Sequence, residues 1–201
     1  RLMVGRPKFS GGPARALEAS EVRKLVSVVS NSGMNRHRNT MIIKTLLYSA
    51  GRISEVLNMR VNDVWDGQEI LNSFVFRKTK NKTTRRIPIN SSFKSDLKTY
   101  ILESELTDSD PLFPSTRTSD GLSFINPNAG SLLVKRLMKN AGINDASAHS
   151  TRKFALMTML RNQVNLQTLR QISGHKSLAS LQHYLASSSD EVSSAIEKIR
   201  F

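Results

Sequence analysis

The sequence predicts a predominantly α-helical domain that carries a small three-stranded antiparallel sheet. Two observations carry that expectation. Apolar residues recur at three- and four-residue spacing in segment after segment, as they do in helices with one buried face. One stretch, residues 69–89, instead holds three short β-rich runs around polar turns. With 201 residues and 38% hydrophobic content, the chain can bury one good core with room for a small appendage.

The elements follow in order. Residues 1–14 form a basic stretch containing Gly and Pro and read as a linker. Leu17-Glu18-Ala19-Ser20-Glu21 opens a helix whose apolar face is Val22, Leu25, Val26 and Val29, closing near Gly33. Met41 to Ala50 reads as a second, strongly apolar helix, with Gly51 as its terminator. Arg52 to Met59 makes a short third helix and puts Arg52 and Glu55 on one side. Glu69–Leu71, Ser73–Phe76 and Arg86–Ile89 read as the strands. Phe93, Leu97, Tyr100 and Ile101 mark a further amphipathic helix, and others are expected at about 127–140, 150–163, 166–173, 177–185 and 189–199.

Charge narrows the function classes. Thirty Lys and Arg against sixteen Asp and Glu give +14, a field that attracts polyanions. A basic membrane-binding protein would share that charge, but no long apolar run or strongly basic amphipathic helix is present. The absence of cysteine excludes disulfides and thiolate metal sites, and no acidic cluster joins the four histidines, so no metal site is expected.

Four residue groups carry chemistry. They are Gly51-Arg52-Ile53-Ser54-Glu55, a basic hairpin holding Lys80, His149-Ser150-Thr151-Arg152, and Gly174-His175 followed nine residues later by Tyr184. A phosphodiester is an anion whose charge must be neutralised before a nucleophile can attack. Two planar guanidiniums can each grip two of its oxygens. A tyrosine hydroxyl becomes a useful nucleophile when a histidine accepts its proton, and a lysine can protonate the departing oxygen. Taken singly, each group has a plainer reading: Arg52 as a surface residue, His149 as a helix cap, Arg152 in a surface pair, His175 in a turn, Tyr184 as an edge-of-core aromatic. The joint order and spacing outweigh these.

At these residues the chain resembles the tyrosine recombinase, or integrase, family of site-specific DNA recombinases, over roughly residues 15–185. The resemblance implies the family's catalytic-domain fold. It implies that Arg52 and Arg152 clamp the scissile phosphate, that Lys80 protonates the leaving 5′ oxygen, and that Tyr184 attacks. His149 and His175 would assist at the phosphate and the nucleophile, and Glu55 would orient its neighbours. Counting back from Arg85-Arg86-Ile87-Pro88-Ile89 places Lys80 at the family's lysine position, with Lys78 and Lys82 as alternatives. Arg77, Lys78, Lys82, Arg85, Arg86 and Lys153 are the expected DNA-backbone contacts.

Three positions depart from the family pattern. Gly51 abuts Arg52 where G-x-R is usual, through either a one-residue shortening or a substituted glycine. Lys153 stands where histidine is common, and Ser173 replaces a frequent apolar residue.

The expected organisation is a linker at 1–14, a catalytic domain at 15–185 and a tail helix at 186–201. The linker reads either as the remnant of a path to an N-terminal DNA-clamping domain or as the start of a naturally short protein. Val192, Ala195, Ile196 and Ile199 line one face of the tail, which needs a groove either on its own domain or, as the family favours, on a neighbouring protomer. The implied activity is cleavage and rejoining of double-stranded DNA through a 3′-phosphotyrosine, without metal or ATP, by a tetramer on paired sites. Its place of work would be cytoplasmic and nucleoid-associated. A type IB topoisomerase or a catalytically idle DNA-binding module are the alternatives.

Overall fold

The fold, a computed structural model, describes residues 14–77, 84–115 and 121–181. It is mainly helical with one small antiparallel sheet. The first helix, α1 (Ala19–Ser30), buries Leu25 and Val29. Its start is held by the Arg15 guanidinium, which grips both carboxylate oxygens of Glu21 at 2.6 and 2.8 Å and also donates to the Asn144 carbonyl at 3.1 Å.

Helix α2 (Arg36–Ser49) begins five residues before the expected Met41, because polar Asn39 and Thr40 in its first turns are buried beside apolar neighbours and mask the pattern. The next helix, α3 (Ile53–Leu57), is shorter than the expected 52–59. Arg52 sits before it in extended backbone, φ −76° and ψ 148°, and serves as its cap residue.

The sheet has two strands, β1 (Ser73–Phe76) and β2 (Arg85–Pro88), paired from Ser73 opposite Pro88 to Phe76 opposite Arg85. The expected third strand at 69–71 is not formed among the described residues. Ile70 makes a single bridge to Trp65, and the Leu71 amide bonds back to the Val64 carbonyl at 2.8 Å, so this run pairs with the preceding turn instead of with β1.

Four helices follow: α4 (Ser91–Glu103), α5 (Pro127–Asn140), α6 (Ala148–Arg161) and α7 (Leu166–Ser173). Asparagines start three of them, since Asn90 Oδ1 accepts from the Phe93 amide at 2.9 Å, Asn126 Oδ1 from the Asn128 amide at 2.9 Å and Asn165 Oδ1 from the Thr168 amide at 2.8 Å. Where a helix over 177–185 is expected, the described part is a 3₁₀ turn, Leu178–Leu181. The remainder of that segment and the expected tail helix lie outside the described residues.

Helix α2 is central, packed on α1, α4 and α6. The large core joins α1, α2, the sheet, α4 and α5 through fully buried Phe74, Phe93, Leu46 and Leu97. A second, smaller cluster of Ala50, Ala155, Leu156, Leu169 and Leu181 seats α7 on α6. Helices α3 and α5 approach closely at Gly130, where a Cβ would lie 2.2 Å from Leu57 Cδ1. Among the described residues no helix is long and apolar enough to cross a membrane.

Candidate active site

The candidate site lies where the C-terminal ends of α2 and α7 converge on α3, β2 and α6. Both ends turn in the left-handed region, at Ala50 (φ 48°) and at Gly174 (φ 66°). Such a cap usually calls for glycine. Ala50 occupies it here, directly before Gly51-Arg52. Gly51 has a different reason to be small. A Cβ there would meet Ser49 Oγ at 2.9 Å, Val56 Cγ2 at 3.0 Å and the Phe76 ring at 3.1 Å.

A helix end leaves carbonyls without intrahelical partners and carries partial negative charge. Arg152 satisfies two such ends at once. Its Nη1 donates to the Ala50 carbonyl at 2.7 Å and its Nη2 to the Ser173 carbonyl at 2.8 Å. The residue is buried, 4% exposed, although its helix position alone reads as surface. Its Nη2 also lies 3.5 Å from His175 Nε2.

Glu55 organises the other side. It is buried, and its Oε1 accepts from Arg52 Nη1 at 2.9 Å, while Oε2 accepts from the Arg52 amide at 2.9 Å and from Arg85 Nη2 at 2.8 Å. Burial alone would push its carboxyl up. The Arg52 amide and the Arg85 and Arg52 charges outweigh that and hold it below the usual carboxylate range.

Arg85 corrects a sequence-based expectation. It was expected to contact the DNA backbone, yet its side chain is 9% exposed and paired with Glu55. It stacks over Phe76, 5.1 Å from the ring centroid, and donates from Nη1 to the Ser173 carbonyl at 2.9 Å. The basic run around it reads as a solvated turn, but strand alternation held the signal. Ile87 points into the core, and Arg85, two residues before it, shares that face, while Arg86 between them is exposed.

Two histidines border the arginines. His149 stands one helical turn before Arg152 on α6, open to solvent on one side. Partial burial of its ring, then the Arg152 and Arg52 charges, lower its pKa. His175, half-buried after the Gly174 turn, is lowered further, to about 4, by burial first and then by Arg152, Arg52 and Arg85. Both rings are therefore proton acceptors near neutral pH, beside guanidiniums able to hold an anion.

The structure thus brings together Arg52, Glu55, His149, Arg152 and His175 from distant parts of the sequence. Lys80, its alternatives Lys78 and Lys82, and Tyr184 lie outside the described residues. Arg77, mostly exposed at the end of β1, pairs with buried Asp63, and Lys153 is half-buried beside Arg152. Ser173 stands out in the sequence only as a departure from a pattern, because its contacts with Arg85 and Arg152 come from partners remote in the chain.

Comparison with known proteins agrees with this arrangement. Residues 15–191 match the model of the phage integrase family. Tyrosine recombinase XerA of Pyrococcus horikoshii is 30% identical over 197 residues, covering 96% of this chain and 64% of the relative. Tyrosine recombinase XerD of Oceanobacillus iheyensis is 26% identical over 192 residues, covering 91% and 61%. The chain therefore spans less than two thirds of the length of these relatives. The crystal structure of XerA recombinase superposes with a TM-score of 0.73 at 23% identity, over 98% of this chain and 68% of that one. XerH site-specific recombinase, bound to its difH substrate, superposes with 0.69 at 21% identity, over 94% and 54%. By the match that spans most of its length, the chain belongs to the phage integrase family, the tyrosine recombinases.

Proposed function

We propose that this chain is the catalytic part of a site-specific recombinase, which cleaves and rejoins double-stranded DNA through a 3′-phosphotyrosine intermediate. The observation that carries this reading is the anchoring of Arg152 on two helix ends beside Glu55-held Arg52, with two proton-accepting histidines alongside. Such prepaid positioning of cations is what a charge-rich phosphoryl transition state rewards.

In this reading Arg52 and Arg152 hold the non-bridging oxygens of the scissile phosphate. Tyr184 Oη attacks phosphorus, its proton passing to a histidine of the site, and the bond to the 5′ oxygen breaks as Lys80 protonates that oxygen. The phosphodiester is exchanged for a phosphotyrosyl ester, so an incoming 5′ hydroxyl reverses the step without ATP. The recombinase names of the relatives favour strand exchange over supercoil relaxation or an idle module. The net charge of +14 and the DNA-bound state of neighbours such as XerH favour duplex DNA as the partner.

In this reading assembly uses a groove of about 600 Å³ between α1, α2 and α6, lined mainly by Val22, Val26, Leu47, Tyr48, Phe154 and Met159. Its occupant in this reading is the apolar face of the tail, Val192, Ala195, Ile196 and Ile199, delivered by an adjacent protomer to close a tetramer on paired sites. Exposed Arg23 at the rim suits the acidic Asp190, Glu191 and Glu197 of that tail. Duplexes selected from a random library and supplied as paired sites test the reading. A Holliday-junction product is expected, and relaxation of plasmid without junctions would point to a topoisomerase.

A further inference from the structure

Ser173 ends α7 with its side chain buried, and its hydroxyl lies 2.6 Å from His175 Nδ1. Proton positions here can be worked out from partners that admit one direction only. Arg152 Nη2 can only donate, so His175 Nε2, 3.5 Å away, is the accepting nitrogen. The neutral ring then carries its proton on Nδ1 and donates to Ser173 Oγ. The hydroxyl proton of Ser173 is left for the Arg170 carbonyl, 3.4 Å away. Every group in this chain has a donor or acceptor that matches its neighbour.

The same residue is tied down through its backbone. Its carbonyl accepts from Arg152 Nη2 at 2.8 Å and from Arg85 Nη1 at 2.9 Å. The hydroxyl that sets the ring is thereby fixed to the arginine cluster by two bonds from two different elements. An apolar side chain at this position would leave Nδ1 without this acceptor and the ring free to exchange tautomers.

We propose that Ser173 is a positioning residue that holds His175 as the Nδ1–H tautomer, with Nε2 turned toward the arginines as the atom that titrates. The inference deepens the proposed function and rests on it for its catalytic meaning. The charged groups facing the ring are Arg52 before α3, Arg85 on β2 and Arg152 on α6; Glu55 pairs with the first two of these, and His149 lies beside Arg52 and Arg152. When a phosphate anion compensates these arginines, Nε2 can take up a proton, and the resulting imidazolium already has its second donor matched by Ser173 Oγ.

Nitrogen-15 NMR of the ring nitrogens in the whole chain tests this. Four histidines give a simple spectrum, and His175→Gln identifies the relevant pair by its disappearance. The parent should show a protonated Nδ1 and a bare Nε2 near pH 7. Ser173→Ala should shift the ring to a tautomer mixture and slow DNA cleavage roughly tenfold, about the size of one hydrogen bond. Ser173→Thr, which keeps the hydroxyl, should restore both. A parent ring protonated on Nε2, an unchanged spectrum in Ser173→Ala, or no restoration by threonine would overturn the inference. The spectra are taken without DNA, so a chain that fails to cleave would defeat the proposed function and leave the tautomer result readable.

Discussion

Glu55 and Arg85 form a buried ion pair, Oε2 to Nη2 at 2.8 Å, with side chains 1% and 9% exposed. Because the other carboxylate oxygen holds Arg52, one acid sets the spacing between a catalytic-side arginine and the arginine that braces the His175 turn. Glu55→Gln keeps the shape and removes the charge. Breaking a buried pair by removing one partner typically costs about 3–5 kcal/mol, so the variant should unfold at distinctly lower urea. The pH dependence has a definite sign. The folded carboxyl sits below its usual 4.5, so its contribution is present above that value and is lost as pH falls through the lower folded value. Urea midpoints for parent and variant should converge as pH is lowered through that window.

Arg52 and Arg152 should separate by stability while agreeing in chemistry. Either alanine variant is expected to slow cleavage by ~10²–10³ or more, as for loss of one preorganised charge contact. Only Arg152→Ala also strips the Arg152 donor from the Ala50 carbonyl, a buried orphan that costs about 1–3 kcal/mol, while the Ser173 carbonyl keeps its bond from Arg85. Single-turnover cleavage and thermal unfolding of the two variants side by side check this. DNA affinity should change less than rate, since many other cations meet the backbone.

Lys80 has a chemical test. Lys80→Ala should lose cleavage of ordinary DNA and regain it on a substrate whose bridging 5′ oxygen is sulfur, a leaving group that needs no proton. Lys78→Ala and Lys82→Ala should behave like the parent on both. Rescue of either of these in place of Lys80→Ala would move the role along the hairpin.

The two adjacent small residues before Arg52 should differ in their tolerance of substitution. Ala50→Gly relieves a left-handed alanine, a gain of about 1 kcal/mol, and gives back roughly as much by removing a buried methyl. Its stability should therefore match the parent closely. Gly51→Ala has nowhere to put its Cβ and should lose about 1–3 kcal/mol, read by calorimetry.

Much of this was legible because local chemistry and tertiary packing agree. Helix α7 falls on the expected 166–173, bounded by Asn165 and Gly174, and His149 and Arg152 share a face through plain i,i+3 spacing. What escaped depends on partners remote in sequence. Asn39 and Thr40 are polar yet buried, which hid the start of α2. Arg85 belongs by composition to a surface run, and its place is set by Glu55, 30 residues earlier, and Ser173, 88 residues later. Residues 69–71 have strand composition but spend a backbone bond on Val64.

In the proposed reaction Tyr184 is the nucleophile that attacks the phosphate held by Arg52 and Arg152. A nicked suicide duplex that loses its 5′ hydroxyl fragment traps the covalent complex, and mass spectrometry of the digested adduct locates the bond. The parent should yield a 3′-phosphotyrosyl peptide containing Tyr184, and Tyr184→Phe should fold and bind the same duplex with no adduct. An adduct from Tyr184→Phe at the parent's yield, mapped to another residue, would contradict the account.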